Sequence, residues 1–309
     1  MTNAGLTLKI REEAIRLGFL ECGFSKVRPL KEHEAKYQDW LQKEYHATMN
    51  YMARNADKRI DPALLVDGAK TVISLLYNYY SHQKLEGSSL KIAKYAYGKD
   101  YHEVIKDKLK LLDQFISNLT GEVFQRCFVD SAPVLERAWA LNSGLGWIGK
   151  NSCLISRKYG SFFFIAEIIT TLELETSQST IKDYCGSCQK CVDACPTHAI
   201  NTNRTVNSNL CISYHTIENK GDIQADLKGK FRDYIFGCDI CQDVCPWNRK
   251  ASPHVEPLFH LKSDLKDMRL SDWLSISEEK YRLLFQGSPV KRAKFHGLKR
   301  NITFVTNEL

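Results

Sequence analysis

The cysteines constrain this chain more than any other feature. Of its eleven, eight fall between Cys185 and Cys245, in "CGSCQKCVDACP" from Cys185, "CDICQDVCP" from Cys238 and Cys211 between them. Thiols at that density end as disulfides, metal ligands or small buried groups, and the compartment helps to decide which. The opening "MTNAGLTLKIREEAIRLGF" lacks the basic head and apolar stretch of a signal peptide. No apolar run approaches the ~18 residues of a spanning helix. A cytoplasmic protein without a membrane partner is therefore expected, and in a reducing compartment clustered cysteines point to metal or redox chemistry. The chain has 309 residues, of which 43% are hydrophobic and 26% charged. That composition suits a folded protein of more than one domain. A net charge of +7 permits a polyanionic partner.

Cys185, Cys188, Cys191 and Cys195 form C-x2-C-x2-C-x3-C-P, the run that binds iron–sulfur clusters in bacterial two-cluster proteins, where the fourth cysteine serves the other cluster. Three thiolates on a tight loop reach three corners of one cubane, and the fourth points away. Cys238, Cys241 and Cys245, followed by Pro246, form a partner motif shorter by one cysteine, and Cys211 can supply the missing ligand. Crossing the last cysteine of each motif assigns Cys185, Cys188, Cys191 and Cys245 to one 4Fe–4S cluster. Cys195, Cys211, Cys238 and Cys241 then hold the other. A pair of four-thiolate zinc sites is the alternative, though zinc does not call for this run ending in Cys-Pro. Cys22, Cys127 and Cys153 are expected to be small buried residues.

Before the cysteine region the patterning is mixed. Ile105, Leu109, Leu112, Ile116 and Leu119 recur at helical spacing, so "YHEVIKDKLKLLDQFISNLTG" reads as an amphipathic helix closed by Gly121. "KTVISLLYNYY", "EVFQRCFVD" and "GSFFFIAEIIT" read as strands. An α+β domain over 1–175 follows. The polar stretch "TLELETSQSTIKDY" connects it to a ferredoxin-like domain over 176–255, and a basic segment with a short helical tail fills 256–309. Two clusters imply that electrons are delivered to a site in the first domain. The most suggestive stretch there is "CFVDSAPVLERAWALNSGLGWIGKNSCLIS". Asp130 ends a strand, Pro133 can open a helix, and "GLGWIGKN" is a glycine-broken loop carrying Trp147, Lys150 and Asn151. Asp130 could equally be a helix N-cap. The glycines match no dinucleotide or nucleoside triphosphate fingerprint.

Taken in order, "YAYGKDYH", "DSAPVLERAWALNSGLGWIGKN", "CGSCQKCVDACPTHAI", "CISYHTIE", "GCDICQDVCPWN" and "GSPVKRAKFHGLKRN" resemble the epoxyqueuosine reductase family over nearly the whole chain. The resemblance implies a cobalamin-dependent iron–sulfur enzyme that reduces epoxyqueuosine at the tRNA wobble position to queuosine. It implies a nitroreductase-like cobalamin-binding domain, shared with reductive dehalogenases, ahead of the ferredoxin-like domain. Cobalamin would bind base-off, in keeping with the lack of a D-x-H-x-x-G motif. Longer members continue past "LKRN" into a helical-repeat region.

The same resemblance gives residues their roles. Asp130 matches the proton donor, and burial against the corrin would keep it protonated near neutral pH. Arg137 would then pair with Glu136 or a corrin carboxamide. Tyr101 and His102 would line the pocket. Arg54, Asp130, Arg137, Lys150, Asn151, Ser152, Leu154, Ser213 and Asp239 would contact cobalamin. Lys291, Arg292, Lys294, Lys299 and Arg300, opposed in that tail only by Glu308, would meet tRNA phosphates. The protein would work as a monomer fed by an external electron donor. Two rival classes are a reductive dehalogenase-like enzyme acting on a small molecule and a non-catalytic ferredoxin-type electron-transfer module. The basic tail and the absent export signal argue against the first, and the second has no use for Asp130.

Overall fold

Four strands rich in aliphatic and aromatic residues form one antiparallel sheet: β1 (Glu21–Lys26), β2 (Thr71–Asn78), β3 (Gln125–Phe128) and β4 (Phe163–Thr170), in the spatial order β1-β2-β4-β3. The computed structural model describes residues 2–177 and 181–306. β2 and β4 are buried along nearly their whole length, which requires helices on both faces. Helices α1 (Asn3–Arg16) and α2 (Tyr101–Thr120) cover one face, placing Ile10, Leu109, Leu112 and Ile116 against Phe24, Ile73, Leu75 and Ile168. Helix α3 (Glu136–Asn142) covers the other, where Trp139 packs on Val72, Phe128 and Ile169.

The expected helix and three strands therefore form, within a mixed α+β architecture. α2 starts where Asp100 accepts the His102 N–H at 3.0 Å and stops at Gly121, whose φ of 79° few other residues adopt. β1 is the strand that sequence patterning misses. "ECGFSK" lacks alternation, and its glycine is set by a distant contact: a Cβ at Gly23 would lie 2.3 Å from the Ser143 carbonyl at the end of α3. Only glycine lets that helix press onto the strand.

The expected domain boundaries do not coincide with the hydrophobic clusters. Lys91–Ile92 pairs in parallel with Tyr234–Phe236, and Ile92 and Ala96 share a core with Trp273, Phe285, Leu298 and Ile302. The segment after residue 255 is thus a packed helical layer rather than a short tail. Its last helix, α4 (Lys294–Thr306), is tied to the cysteine region by buried polar contacts. Asn301, fully buried, donates to the Thr216 and Ile235 carbonyls at 2.9 Å each. Arg300 donates to the carbonyls of His215 at 2.7 Å, Asn219 at 3.0 Å and Gly221. The cysteine motifs each form a one-turn helix, Lys190–Ala194 and Ile240–Asp243, and a π-helical turn, Tyr214–Glu218, follows Cys211. Residues 178–180 of the connector and Glu308 of the tail lie outside the described residues. No described helix is long and apolar enough to cross a membrane.

Removing the Asn301 amide leaves two buried carbonyls unpaired. Asn301→Ala should lower unfolding stability by about 2–4 kcal/mol, read as a shifted midpoint in anaerobic denaturant titration, whereas Arg282→Ala on the exposed helix Glu278–Leu284 should change it by less than about 0.5 kcal/mol.

Candidate functional site

Asp130 stands at the junction of the sheet and α2. α3 begins at Glu136 and its N-cap is Leu135, with no side-chain cap, so Asp130 caps nothing and Pro133 lies in the bend before the helix. The Asp130 backbone is held at φ 56°, a left-handed conformation that costs a non-glycine residue about 1 kcal/mol or more. Several bonds fix it there. Its N–H donates to Glu136 Oε1 at 2.5 Å, its Oδ2 accepts the Tyr101 hydroxyl, and His102 Nε2 lies 3.5 Å from the same oxygen. His102 Nδ1 is 2.8 Å from Asp100 Oδ1. Tyr101 is sandwiched between the rings of His102 and Phe164, each 4.1 Å away.

These contacts reverse one expectation. Burial works to raise the Asp130 pKa, but the hydrogen bonds from His102 and Tyr101 and the charges of His102 and Arg292 prevail and hold it below the usual carboxylate value. His102 responds in the opposite sense: burial disfavours its charge, yet Asp100 and Asp130 raise it to about 9. At neutral pH the proton of this pair therefore resides on the imidazole. The Asp130 side chain is 59% exposed, so a substrate can reach it.

Two further carboxyls lie behind Asp130. Glu136 is pushed up to about 8 by burial and by the Asp130 charge. Glu167, fully buried at the centre of β4 opposite Ser74 and Phe128, is raised well above its ordinary value by burial and by Glu136, whose carboxyl it meets. Neither Glu167 oxygen has a donor on another group, so the pair shares at least one proton. Sequence reasoning named Glu136 only as a partner for Arg137 and passed over Glu167. The available signal was a lone carboxylate inside the apolar run "FFFIAEIIT". Arg137 does not pair with Glu136; its guanidinium donates to the Ser152 carbonyl and, at 2.9 Å, to its hydroxyl.

The glycine-broken stretch is a hairpin, Trp147–Ile148 with Leu154–Ile155, and it links Asp130 to the cysteines. At its turn, Ser152 meets Arg137, Asn151 Nδ2 is 3.5 Å from the Cys241 carbonyl, and the free Cys153 and Cys241 thiols are neighbours. At its base, the Trp147 indole N–H points at Cys185 Sγ, 3.4 Å away. The Leu154 side chain packs in the core with Leu76, Ala140 and Phe163, leaving only its main chain for a ligand. Asp239 is buried and accepts from the Lys94 N–H at 2.8 Å, with the Lys94 ammonium at 3.4 Å. Ser213 bonds the Cys211 sulfur. Lys150 is half-exposed, and Arg54 is exposed on a turn without a side-chain hydrogen bond among the described residues.

All eight motif cysteines are free thiols. Cys191 is pushed up to about 11 by burial and by the charges of Cys185 and Cys245, so these three are neighbours. Cys238 is raised by burial and by Cys211 and Cys195; Cys241, beyond its neighbour Cys153, feels Cys238 and Cys211. Among the described residues no three such side chains close around a single metal ion. The thiols stand in two neighbourhoods, in which Cys245 joins the first motif and Cys195 joins the second.

The basic tail divides. Lys291, Arg292 and Lys294 are exposed, and Arg292 pairs with Glu218 at 2.9 Å. Lys299 donates to the Leu274 carbonyl and Arg300 to the three carbonyls described above. Phosphate contact is accordingly expected of the first three alone, since the last two are engaged inside the fold.

The chain is similar to known proteins over nearly its whole length. A profile described as "4Fe-4S double cluster binding domain" matches residues 184–248, and one described as "Epoxyqueuosine reductase QueG, DUF1730" matches residues 59–131. An epoxyqueuosine reductase from Cellulophaga algicola is 54% identical over 296 residues, covering 96% of this chain and 96% of that protein. A solved epoxyqueuosine reductase holding a tRNA-Tyr epoxyqueuosine-modified stem loop is 27% identical with a TM-score of 0.90, covering 98% of this chain and 81% of that one. The Bacillus subtilis epoxyqueuosine reductase, 26% identical with a TM-score of 0.89 and the same coverage, has been solved with its catalytic aspartate loop swung out of the active site.

The His102–Asp130 pair makes a pH prediction with a definite sign. A histidine raised to about 9 contributes stability that is complete below the ordinary value of about 6.5 and is lost as pH rises through 9. Imidazole resonances of His102 should titrate near pH 9. In Asp130→Asn the titration should move down, while staying above the ordinary value because Asp100 remains.

Proposed function

The chain belongs to the epoxyqueuosine reductase family of oxidoreductases, and from this we propose that it reduces the epoxide of epoxyqueuosine at the tRNA wobble position to queuosine, with electrons passing from two 4Fe–4S clusters to cobalamin and Asp130 as proton donor. The observation that carries the reading is the accessible Asp130 carboxylate, bonded by Tyr101 and His102 and joined by one hairpin to the cysteine motifs.

Cys185, Cys188, Cys191 and Cys245 would hold one cluster, and Cys195, Cys211, Cys238 and Cys241 the other; the two thiol neighbourhoods fit this crossing. Amide and hydroxyl groups of Asn151, Ser152 and Ser213, with the Arg137 guanidinium, suit the carboxamide-rich rim of a corrin. When bound, these groups supply single electrons at low potential, which is what opening an epoxide to an alkene demands. That conversion takes two electrons and two protons and releases water. The chain's own residues manage the protons. His102 holds one at rest. A substrate covering Asp130 strips its water and raises its pKa, so one proton moves from the imidazole to the carboxyl and then to the departing oxygen, and the second is drawn from solvent water. Tyr101 keeps the carboxyl aimed. Lys291, Arg292 and Lys294 would meet tRNA phosphates, in the cytoplasm where that substrate is found. A pure electron-transfer module is the weaker reading because it gives the Asp130–His102–Tyr101 network no task.

Anaerobically prepared protein should carry about eight irons, and Cys211→Ala should lose the cluster of the second neighbourhood while keeping the first, as read by iron content and electron paramagnetic resonance. An intact second cluster in Cys211→Ala, or zinc in place of iron, would remove the assignment. Asp130→Asn preserves size and should still bind both clusters, but single-turnover queuosine formation should drop by a factor on the order of 10² or more. A native rate in that variant would transfer the donor role to His102 or Tyr101.

A further inference from the structure

We propose that the surface over the first cysteine motif, centred on Tyr184 and Trp247, is the docking site of an acidic one-electron carrier protein. The inference rests on the electron route of the proposed function and adds where the electrons enter.

The surface is an aromatic triad over sulfur. Trp147, Tyr184 and Trp247 meet edge to face, with centroids 5.0 Å apart for the two tryptophans, 5.2 Å for Trp147 and Tyr184, and 5.7 Å for Tyr184 and Trp247. Trp147 is buried and its indole N–H reaches Cys185 Sγ. Tyr184 is 38% exposed, unusual for a tyrosine packed in such a group. The triad thus runs from a cluster-ligand sulfur to solvent.

Its rim is positive. The Arg157 guanidinium lies 5.4 Å from the Tyr184 ring centre and the Lys250 ammonium 5.1 Å from that of Trp247. Lys182, Lys190 and Arg249, neighbours in sequence of the same motifs, are exposed as well. Of the acids in these stretches, Asp183 is paired with Arg204, and Asp239 and Asp243 with Lys94, which leaves Asp193. An exposed aromatic patch ringed by cations favours a partner whose own redox edge is ringed by carboxylates. RNA would also suit cations and rings, but the substrate site lies at the other end of the hairpin. Arg137 and Ser152 mark its turn and Trp147 its base, a separation on the order of 10 Å at strand rise. A carrier at Tyr184 can therefore reduce the clusters while a substrate occupies Asp130. Two reduced carriers, each giving one electron, supply the two electrons that one epoxide consumes.

The test uses the holoprotein and an acidic 2Fe–2S ferredoxin as probe. The native protein should bind it saturably, more weakly as salt rises. Arg157→Glu with Lys250→Glu should weaken binding at least 10-fold at low salt, flatten the salt dependence, and slow cluster reduction by the ferredoxin. Cluster reduction by dithionite, and binding of the tRNA stem loop, should be unchanged. Failure of the native protein to bind the probe, or unchanged binding by the variant, would overturn the proposal. Loss of stem-loop binding instead would make the patch an RNA surface. Absence of queuosine formation with dithionite in the native protein counts against the proposed function, not against the docking site, because probe binding is read independently.

Discussion

The hydrogen bond from the Tyr101 hydroxyl to Asp130 is the contact around which the site is arranged. It joins the first turn of α2 to a residue whose left-handed backbone would otherwise relax. Tyr101 can make it only because Phe164 on β4 and His102 clamp its ring from both sides. The sheet, the long helix and the loop before α3 thus meet in a single oxygen atom. A strained backbone conformation of this kind persists only where surrounding contacts over-determine it, and here side-chain bonds do so.

Protons in this site are arranged by depth. Asp130, reachable from solvent, is ionised; His102 beside it is charged; Glu136 and Glu167 behind it share protons because burial and neighbouring carboxyls outweigh the charges of Arg137 and His102 near Glu136. A fully ionised row of three carboxyls would repel itself in a medium of low polarisability. Keeping the inner pair protonated lets Asp130 carry its charge next to them. The carboxyl nearest the solvent is the one whose protonation can change most readily when water is displaced.

What the sequence made legible follows physical range. α2 was readable because its aliphatic spacing is local, and the double-cluster domain because the spacing within each cysteine motif is local too. β1 was not, since the glycine that defines it answers to Ser143, far along the chain. The pairing of Lys91–Ile92 with Tyr234–Phe236, which blurs the boundary drawn at 175, is equally non-local. For Asp130 burial was foreseen, while the two donors at Tyr101 and His102 that outweigh it and keep its pKa low come from geometry alone. Lys299 and Arg300 looked like surface cations until their carbonyl partners were placed.

The anchoring of the cysteine region by α4 has a consequence for how the protein is made. Arg300 and Asn301 hold the carbonyls of His215, Thr216 and Ile235, which flank Cys211 and Cys238. During synthesis the last cysteine precedes this helix by about 50 residues, or roughly 3–10 s at typical elongation rates of about 5–20 residues per second. The brace that orders the thiol-bearing loops therefore reaches them from a segment synthesised after the cysteines themselves.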